Sequence, residues 1–186
     1  DGSDTDEAGL TVKDFSKRFK NIKYFRQKKS GPATARNLGL RVSSAPIVAF
    51  IDDDCTASSK WIKSLIAAFS RNKGAWAVEG KTVTKGPIGP FSHYIINNNG
   101  GMFMTCNMAF RKKRLLEAGR FDERFKHANR EDADVAFSIL EKGGKISFCK
   151  SAVVCHAYLR SSFFRELRKK TYYMWDILLA KKHSKL

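Results

Sequence analysis

The sequence predicts an α/β fold in which a mainly parallel sheet carries helices on both faces. Residues 47–51 form an apolar run that leads directly into three aspartates, a pattern typical of a buried strand in a parallel sheet. Short apolar runs alternate along the chain with stretches whose apolar residues recur at helical spacing. The 186 residues are enough to bury one core, and no internal repeat divides them. We therefore expect one domain built from alternating strands and helices.

The predicted elements follow one another at short intervals. Apolar residues three and four apart mark the helices, and caps or turn-forming residues mark their ends. In chain order they are a helix containing Leu10, Phe15 and Phe19 and capped by Thr5 or Asp6, a strand at 22–26, a helix after Gly31 and Pro32, the strand at 47–51, a helix capped by Ser58 or Ser59 and containing Trp61, Ile62, Leu65, Ile66 and Phe69, strands at 76–80 and 107–110, a helix at 135–142, and a strand at 153–156. Glycine and proline exclude regular structure at 85–90, and we expect a mobile loop at 95–104.

Asp52, Asp53 and Asp54 stand at the end of the strand at 47–51, where open α/β sheets normally bind their ligands. Carboxylates this close repel one another unless a cation or a hydrogen-bond donor compensates their charge. Hard divalent ions such as Mg²⁺ and Mn²⁺ prefer oxygen ligands of this kind. The triplet therefore indicates a metal-binding site, and the alternative is a solvated acidic loop.

A second acidic cluster, with Glu131, Asp132 and Asp134, opens the helix at 135–142. Acidic residues in a first turn complement the helix dipole, so helix capping is a sufficient explanation for this cluster alone. A metal-binding carboxylate and a second carboxylate that accepts a proton are, however, the groups that metal-assisted group transfer requires. The two clusters together favour an enzyme.

These residues and several other segments resemble family 2 glycosyltransferases of the GT-A fold. The resemblance implies a Rossmann-like, mainly parallel mixed sheet. Family members normally begin with an apolar strand ahead of the D-G-S turn, so the resemblance also implies that this first strand is missing here and that the sheet has an unpaired edge. The matching segments are the D-G-S turn at 1–6, the G-x-x-x-A-R-N-x-G segment at 31–39, the D-x-D motif at 52–54, the segments at 105–112 and 118–125, the E-D motif at 131–132 and the apolar strand ending in His156.

The resemblance implies a nucleotide-sugar donor, a UDP-, GDP- or dTDP-sugar. It places Asp1 beside the nucleotide base and Arg36 near the nucleotide. Asp52 would face the ribose or the water shell of the metal, Asp53 would complete the donor side, and Asp54 would bind Mn²⁺ or Mg²⁺ directly. The ion would neutralise the diphosphate leaving group.

The resemblance also implies an inverting transfer to the hydroxyl of a glycan or of a lipid-linked acceptor. Asp132 would accept the proton of that hydroxyl, and Glu131 and Asn107 would line the acceptor side. His156 would be a further metal ligand, although a lone histidine at a strand end is more often simply hydrogen-bonded. Asn107, similarly, has the alternative of satisfying backbone groups at a strand start. No Q-x-x-R-W motif is present, which favours transfer of a single sugar over polymerisation.

The net charge of +17 indicates an anionic partner, such as a phosphorylated substrate or an anionic membrane surface. We expect a glycosyltransferase domain at 1–159 and a basic amphipathic helix at 160–186, which either packs on the domain or contacts the membrane peripherally. The four cysteines form no C-x-x-C pair and no disulfide-like framework, so the cytoplasm is the expected location.

Two other classes of protein remain alternatives. A metal-dependent nucleotidyltransferase also combines aspartates with a divalent ion and a nucleoside phosphate. A non-catalytic basic module that binds nucleic acid would explain the charge but would not need Asp54 or Asp132. Stabilisation by a nucleoside diphosphate with Mn²⁺, and not by single-stranded nucleic acid, would favour the enzyme.

Overall fold

The computed structural model describes residues 5–86, 92–160 and 172–185, so Asp1 and its D-G-S turn lie outside the described residues. The helices confirm most of the predicted positions. They are α1 (Glu7–Arg18), α2 (Pro32–Val42), α3 (Trp61–Arg71), α4 (Lys112–Ala118), α5 (Glu131–Glu141) and α6 (Tyr173–Lys182), with a 3₁₀ turn at Thr105–Asn107. Pro32 occupies the first turn of α2, where its missing N–H costs nothing.

The strands form one five-stranded mixed sheet in the order β1-β5-β3-β6-β2 and a separate short pair, β4 with β7. Within the five-stranded sheet β3 and β6 are parallel, whereas β1–β5, β3–β5 and β2–β6 are antiparallel. The strands are β1 (Ile47–Phe50), β2 (Cys55–Ala57), β3 (Ala75–Thr84), β4 (Ser92–His93), β5 (Met108–Arg111), β6 (Lys145–His156) and β7 (Leu159–Arg160).

Two strand predictions are wrong. The run at 47–51 forms β1, but β1 is half-buried and antiparallel to β5, at one end of the strand order. An apolar run indicates that its side chains pack against other apolar groups, but it does not indicate whether the neighbouring strand is parallel or antiparallel. Residues 22–26 form no strand: their alternation of apolar and basic residues resembles a strand, but no described strand pairs with them.

The sheet separates two apolar clusters, which confirms helices on both faces. On one face, α2, α4 and α5 pack against Met108 and Phe110 of β5. On the other face, α3 packs against Val78, Ala109 and Val154. Neighbouring residues of β5 face opposite clusters because successive side chains of a strand point to opposite sides.

The C-terminal helix α6 is held against α5 by charged and aromatic contacts. Asp134 of α5 is fully buried, and its carboxylate accepts bonds from Lys182 at 2.8 Å and His183 at 3.0 Å. Trp175 packs against Phe125, with ring centroids 5.8 Å apart. Tyr173, Met174 and Ile177 of α6 are exposed. Residues 161–171 of the amphipathic helix predicted at 160–186 lie outside the described residues, so that helix stays a prediction.

No helix in the described segments combines the length and the apolar character that crossing a membrane requires.

Candidate functional site

A cavity of about 320 Å³ lies beyond the ends of β1 and β6 and brings most of the predicted site residues together. Arg36 comes from α2, Asp52 and Asp54 from the segment between β1 and β2, Glu131 and Asp132 from the first turn of α5, and His156 from the end of β6. The apolar part of its wall consists of Ile95, Met102, Met104, Ala128 and Ala133. The predicted residues therefore form one site although they come from four separate parts of the chain.

Arg36 holds the acidic residues at one end of the cavity. Its Nη1 donates to Glu131 Oε1 at 2.7 Å and to Asp132 Oδ1 at 3.1 Å, and its Nη2 lies 3.5 Å from Asp52 Oδ1. The Arg36 side chain is only 12 % exposed, and its guanidinium also lies over the ring of Phe121. One buried cation is thus shared by three carboxylates, and we call these four residues the Arg36 cluster.

The Arg36 cluster shifts the ionisation of its members. Burial, followed by the charge of Asp132, raises the pKa of Glu131, and Arg36 opposes both without cancelling them, so that this pKa is about 7. Burial also raises the pKa of Asp52 against the opposing effect of Arg36. Burial by itself would lower the pKa of Arg36, but Asp132 and Glu131 outweigh it and raise that pKa above its ordinary value. A single guanidinium cannot fully compensate three carboxylates out of water.

Asp132 is the accessible carboxylate of the E-D motif. Its side chain is 21 % exposed, against 2 % for Glu131. The Thr105 hydroxyl donates to Asp132 Oδ1 at 2.7 Å and the Thr105 N–H donates to Oδ2 at 3.0 Å, so the carboxylate has a fixed orientation. An ionised carboxylate offers about four acceptor positions, which leaves room for a further hydroxyl donor.

Asp54 and His156 line the other end of the cavity, and we call these two residues, together with the adjacent Cys55, the metal end. The antiparallel pairing of β2 with β6 puts Cys55 opposite His156. His156 Nε2 lies 3.5 Å from Asp54 Oδ2, and His156 Nδ1 lies 2.8 Å from the carbonyl oxygen of Ala157. A histidine that donates one ring N–H to a carbonyl presents its other nitrogen for metal coordination.

The donors at the metal end fit a divalent ion. One potential ligand atom from each of Asp54, Cys55 and His156 lies within 4.8 Å of the others. The Cys55 thiol points at Asp54 Oδ1, 3.6 Å away. Burial, followed by the charges of Asp54 and Asp52, raises the pKa of Cys55 to about 12, so the sulfur is a protonated thiol while no ion is bound. A hard ion would use the Asp54 oxygen and the His156 nitrogen.

Two predicted site residues, Asp53 and Asn107, do not line the cavity. Asp53 is exposed and does not line it, and Asp1 lies outside the described residues. Asn107 is buried at 1 %, where it accepts a bond from Trp61 Nε1 at 2.8 Å and donates to the carbonyls of Lys81 and Ala152. Its amide ties α3 to the strands, which agrees with the alternative that Asn107 satisfies backbone groups at a strand start, and its acceptor-side role stays a prediction.

Sequence reasoning missed Glu79, which organises the wall of the cavity. Its buried carboxylate accepts bonds from Asn97 Nδ2 at 2.7 Å and from the N–H groups of Gly101, Met102 and Phe103 at 2.5 to 3.1 Å. The loop at 95–104 is therefore held in place rather than mobile as predicted. A charged residue inside an otherwise apolar strand was the available signal, because a buried carboxylate requires donors. Met102 and Met104 of this loop line the cavity.

The chain matches known proteins over most of its length. The model of the family described as Glycosyl transferase family 2 matches residues 1–119. The chain belongs to this family. The glucosyl-dolichyl phosphate glucuronosyltransferase of Haloferax volcanii is 28% identical to it, over 68% of this chain and 47% of that protein. The chain spans between 8% and 47% of the length of curated relatives that it matches.

Solved structures confirm the GT-A fold of this family 2 glycosyltransferase. TarS of S. aureus, solved in complex with UDP-GlcNAc, has a TM-score of 0.69 at 18% sequence identity, over 89% of this chain and 50% of that chain. GalNAc-T7, solved with UDP, GalNAc and Mn²⁺, has a TM-score of 0.68 at 15% identity, over 86% of this chain and 37% of that chain. At these identities the likeness concerns the fold, and it agrees with the mixed α/β sheet predicted from the sequence.

Proposed function

We propose that this chain is the catalytic core of an inverting glycosyltransferase that moves a sugar from a nucleotide-diphospho-sugar to an acceptor hydroxyl. The observation that carries the proposal is that two kinds of group line the same cavity of about 320 Å³. One is the accessible, oriented carboxylate of Asp132, and the other is the pair of potential metal ligands Asp54 and His156. A base for the acceptor and a site for the ion that accompanies the donor are the two parts that the reaction needs.

Asp132 acts as the base in this proposal because it is the member of its cluster that a substrate can reach. The bonds from Thr105 and Arg36 orient the carboxylate toward the cavity, where it accepts the proton as the hydroxyl attacks the sugar. Glu131 is too deeply buried for that role, and Asp134 is fully buried beneath Lys182 and His183. A single displacement of this kind inverts the sugar and requires no nucleophile from the protein.

Asp54 and His156 would hold Mn²⁺ or Mg²⁺, which would neutralise the diphosphate leaving group. Arg36 contacts both Asp132 and Asp52, and it therefore links the proposed base to the aspartates at 52–54. A second cavity of about 710 Å³ adjoins the first at Ala128 and is lined by Lys29 and Lys126. Cavities of this size accommodate ligands as large as a nucleotide, and the two lysines suit its phosphates.

We further propose a glycan or lipid-linked acceptor and a role in the synthesis of cell-surface polysaccharide or glycolipid. The name of the Haloferax relative, which includes a glucosylated dolichyl phosphate, supports an acceptor carried by a lipid. A lipid-linked acceptor would bring the chain to a membrane surface, and the charge of +17 would favour peripheral contact with an anionic one. Four cysteines without a disulfide-like spacing support a cytoplasmic location.

The test is transfer or hydrolysis of a panel of UDP-, GDP- and dTDP-sugars in the presence of Mn²⁺. Asp132→Asn keeps the shape of the side chain and cannot accept a proton at that step, so turnover should fall about 10²- to 10⁴-fold while donor affinity, measured by calorimetry, changes little. Asp14→Asn, at an exposed position on α1, is the control and should leave turnover unchanged. Near-normal turnover by Asp132→Asn would remove the base from this position, and failure of every donor to bind or react would reject the proposed function.

A further inference from the structure

The metal end of the cavity contains a sulfur that a hard ion does not need. Cys55 Sγ lies 3.6 Å from Asp54 Oδ1, and His156 Nε2 lies 3.5 Å from Asp54 Oδ2. Among the described residues, these three form the group of His, Cys, Asp and Glu side chains that converge closely enough to hold an ion. Carboxylate, imidazole and thiol together are the ligand types of zinc sites in proteins.

The distances suit a tetrahedral ion. Bonds from zinc to oxygen, nitrogen and sulfur of roughly 2.0 to 2.3 Å separate neighbouring ligand atoms by about 3.3 to 3.8 Å. The Cys55 sulfur is at such a distance from Asp54 Oδ1, and His156 Nε2 is at such a distance from Asp54 Oδ2. One potential ligand atom from each residue lies within 4.8 Å of the other two. The contact of His156 Nδ1 with the Ala157 carbonyl fixes the ring in the orientation that a ligating histidine requires. The three ligand atoms therefore need only small side-chain movements to meet at one ion.

We propose that Zn²⁺ binds Asp54, Cys55 and His156 and, in doing so, displaces the hard ion that the proposed function assigns to Asp54 and His156. Zn²⁺ binds N/O/S sites more tightly than Mn²⁺, and a thiolate ligand increases that difference because it favours softer ions. The Cys55 thiol forms its bond to zinc with loss of its proton to the solvent. Zinc binding therefore becomes tighter as the pH rises.

Zinc at this position would also inhibit the proposed sugar transfer. A tetrahedral ion with three protein ligands keeps one open position, whereas an octahedral ion held by Asp54 and His156 keeps four for water and phosphate oxygens. Zinc would thus close most of the coordination sphere that a nucleoside diphosphate needs. This last consequence rests on the proposed function, whereas the binding of zinc through Cys55 does not.

Metal titrations of the purified chain test the site without any sugar substrate. Cd²⁺ reports a thiolate ligand through an ultraviolet charge-transfer band, and calorimetry with Zn²⁺ and with Mn²⁺ gives the two affinities. We expect the band in the wild type and in Cys155→Ser, a matched control in the neighbouring strand whose sulfur is outside the cluster. Cys55→Ser should lack the band and should lose at least about tenfold of its preference for Zn²⁺ over Mn²⁺, while its Mn²⁺ affinity stays near that of the wild type.

X-ray absorption at the zinc edge of the Zn²⁺-loaded wild type provides a measurement that does not depend on the folding of a variant. It should show a zinc–sulfur bond of about 2.3 Å. A band that persists in Cys55→Ser, an unchanged Zn²⁺/Mn²⁺ ratio or the lack of a zinc–sulfur bond would overturn the proposal. If the wild type binds Zn²⁺ but shows no Mn²⁺-dependent binding of a donor, the proposed function is overturned and the zinc site is not.

Discussion

The two ends of the cavity compensate their charges in different ways. In the Arg36 cluster, three carboxylates share one buried guanidinium, and Thr105 satisfies Asp132 from the opposite side. At the metal end, Asp54 is 35 % exposed and its carboxylate contacts a histidine and a thiol. The first end carries its counter-charge within the fold, whereas the second relies on solvent or an ion. Changes in the Arg36 cluster should therefore affect folding, and changes at the metal end should affect binding.

Replacement of Arg36 should produce the largest loss of stability. Arg36→Met removes the cation and leaves Asp52, Glu131 and Asp132 facing one another, which should lower the free energy of unfolding by about 3–5 kcal/mol. Urea denaturation at neutral pH measures the change. Arg26→Met, at an exposed ion pair with Asp6, is the control and should cost at most about 1 kcal/mol. Equal effects of the two variants would mean that Arg36 does not compensate the cluster.

The raised pKa of Glu131 predicts a dependence of stability on pH. The folded chain binds this proton more tightly than the unfolded chain does, because the pKa rises from an ordinary value near 4.5 to about 7. The stabilisation is fully present below the unfolded pKa and is lost as the pH rises through 7, by roughly 3 kcal/mol at most.

Glu131→Gln tests this dependence, since glutamine resembles the protonated acid and does not titrate. Its free energy of unfolding should change less between pH 4.5 and 7 than that of the wild type. The control Glu117→Gln alters an exposed residue of α4 that pairs with Arg114, and it should keep the wild-type profile. Parallel profiles for Glu131→Gln and the wild type would assign the dependence to another group.

Thr105 should have a smaller effect on the same cluster. Thr105→Val keeps the shape and the backbone N–H but removes the hydroxyl donor to Asp132, which should cost about 1 kcal/mol because the site is buried. Thr105→Ser retains a hydroxyl and should recover part of that loss. Denaturation curves of the two variants, measured side by side, decide the matter, and a serine variant no better than the valine variant would contradict the role of the hydroxyl.

Asp54 should have the smallest effect on folding and a complete effect on metal binding. Asp54→Ala removes a partly exposed carboxylate, so the free energy of unfolding should change by less than about 1 kcal/mol. Calorimetry should nevertheless detect no Mn²⁺-dependent binding of a nucleoside diphosphate. Asp53→Ala, at the exposed neighbour, should bind as the wild type does. Undiminished binding by Asp54→Ala would remove Asp54 from the metal site.

Local sequence determined a large part of the architecture. Helical spacing predicted α1, α2, α3 and α5, because amphipathic periodicity within a dozen residues already encodes which face is buried. The strand-then-aspartate pattern located the candidate site, and the order of motifs identified the family before any contact was known. These features are short-range properties, and neighbours in the chain are sufficient to specify them.

Tertiary structure alone decided which charges meet. Arg36 lies 95 residues from Glu131 in the chain, and the pairing of β2 with β6 brings Asp54 to His156 across a similar interval. The partners of Glu79, the burial of Asn107 and the direction of β1 likewise depend on which strands become neighbours. The sequence shows whether a residue is charged or apolar. The packing of distant segments decides which partner a charged residue has and how far it is removed from water, and these two factors set its pKa and its ability to bind an ion.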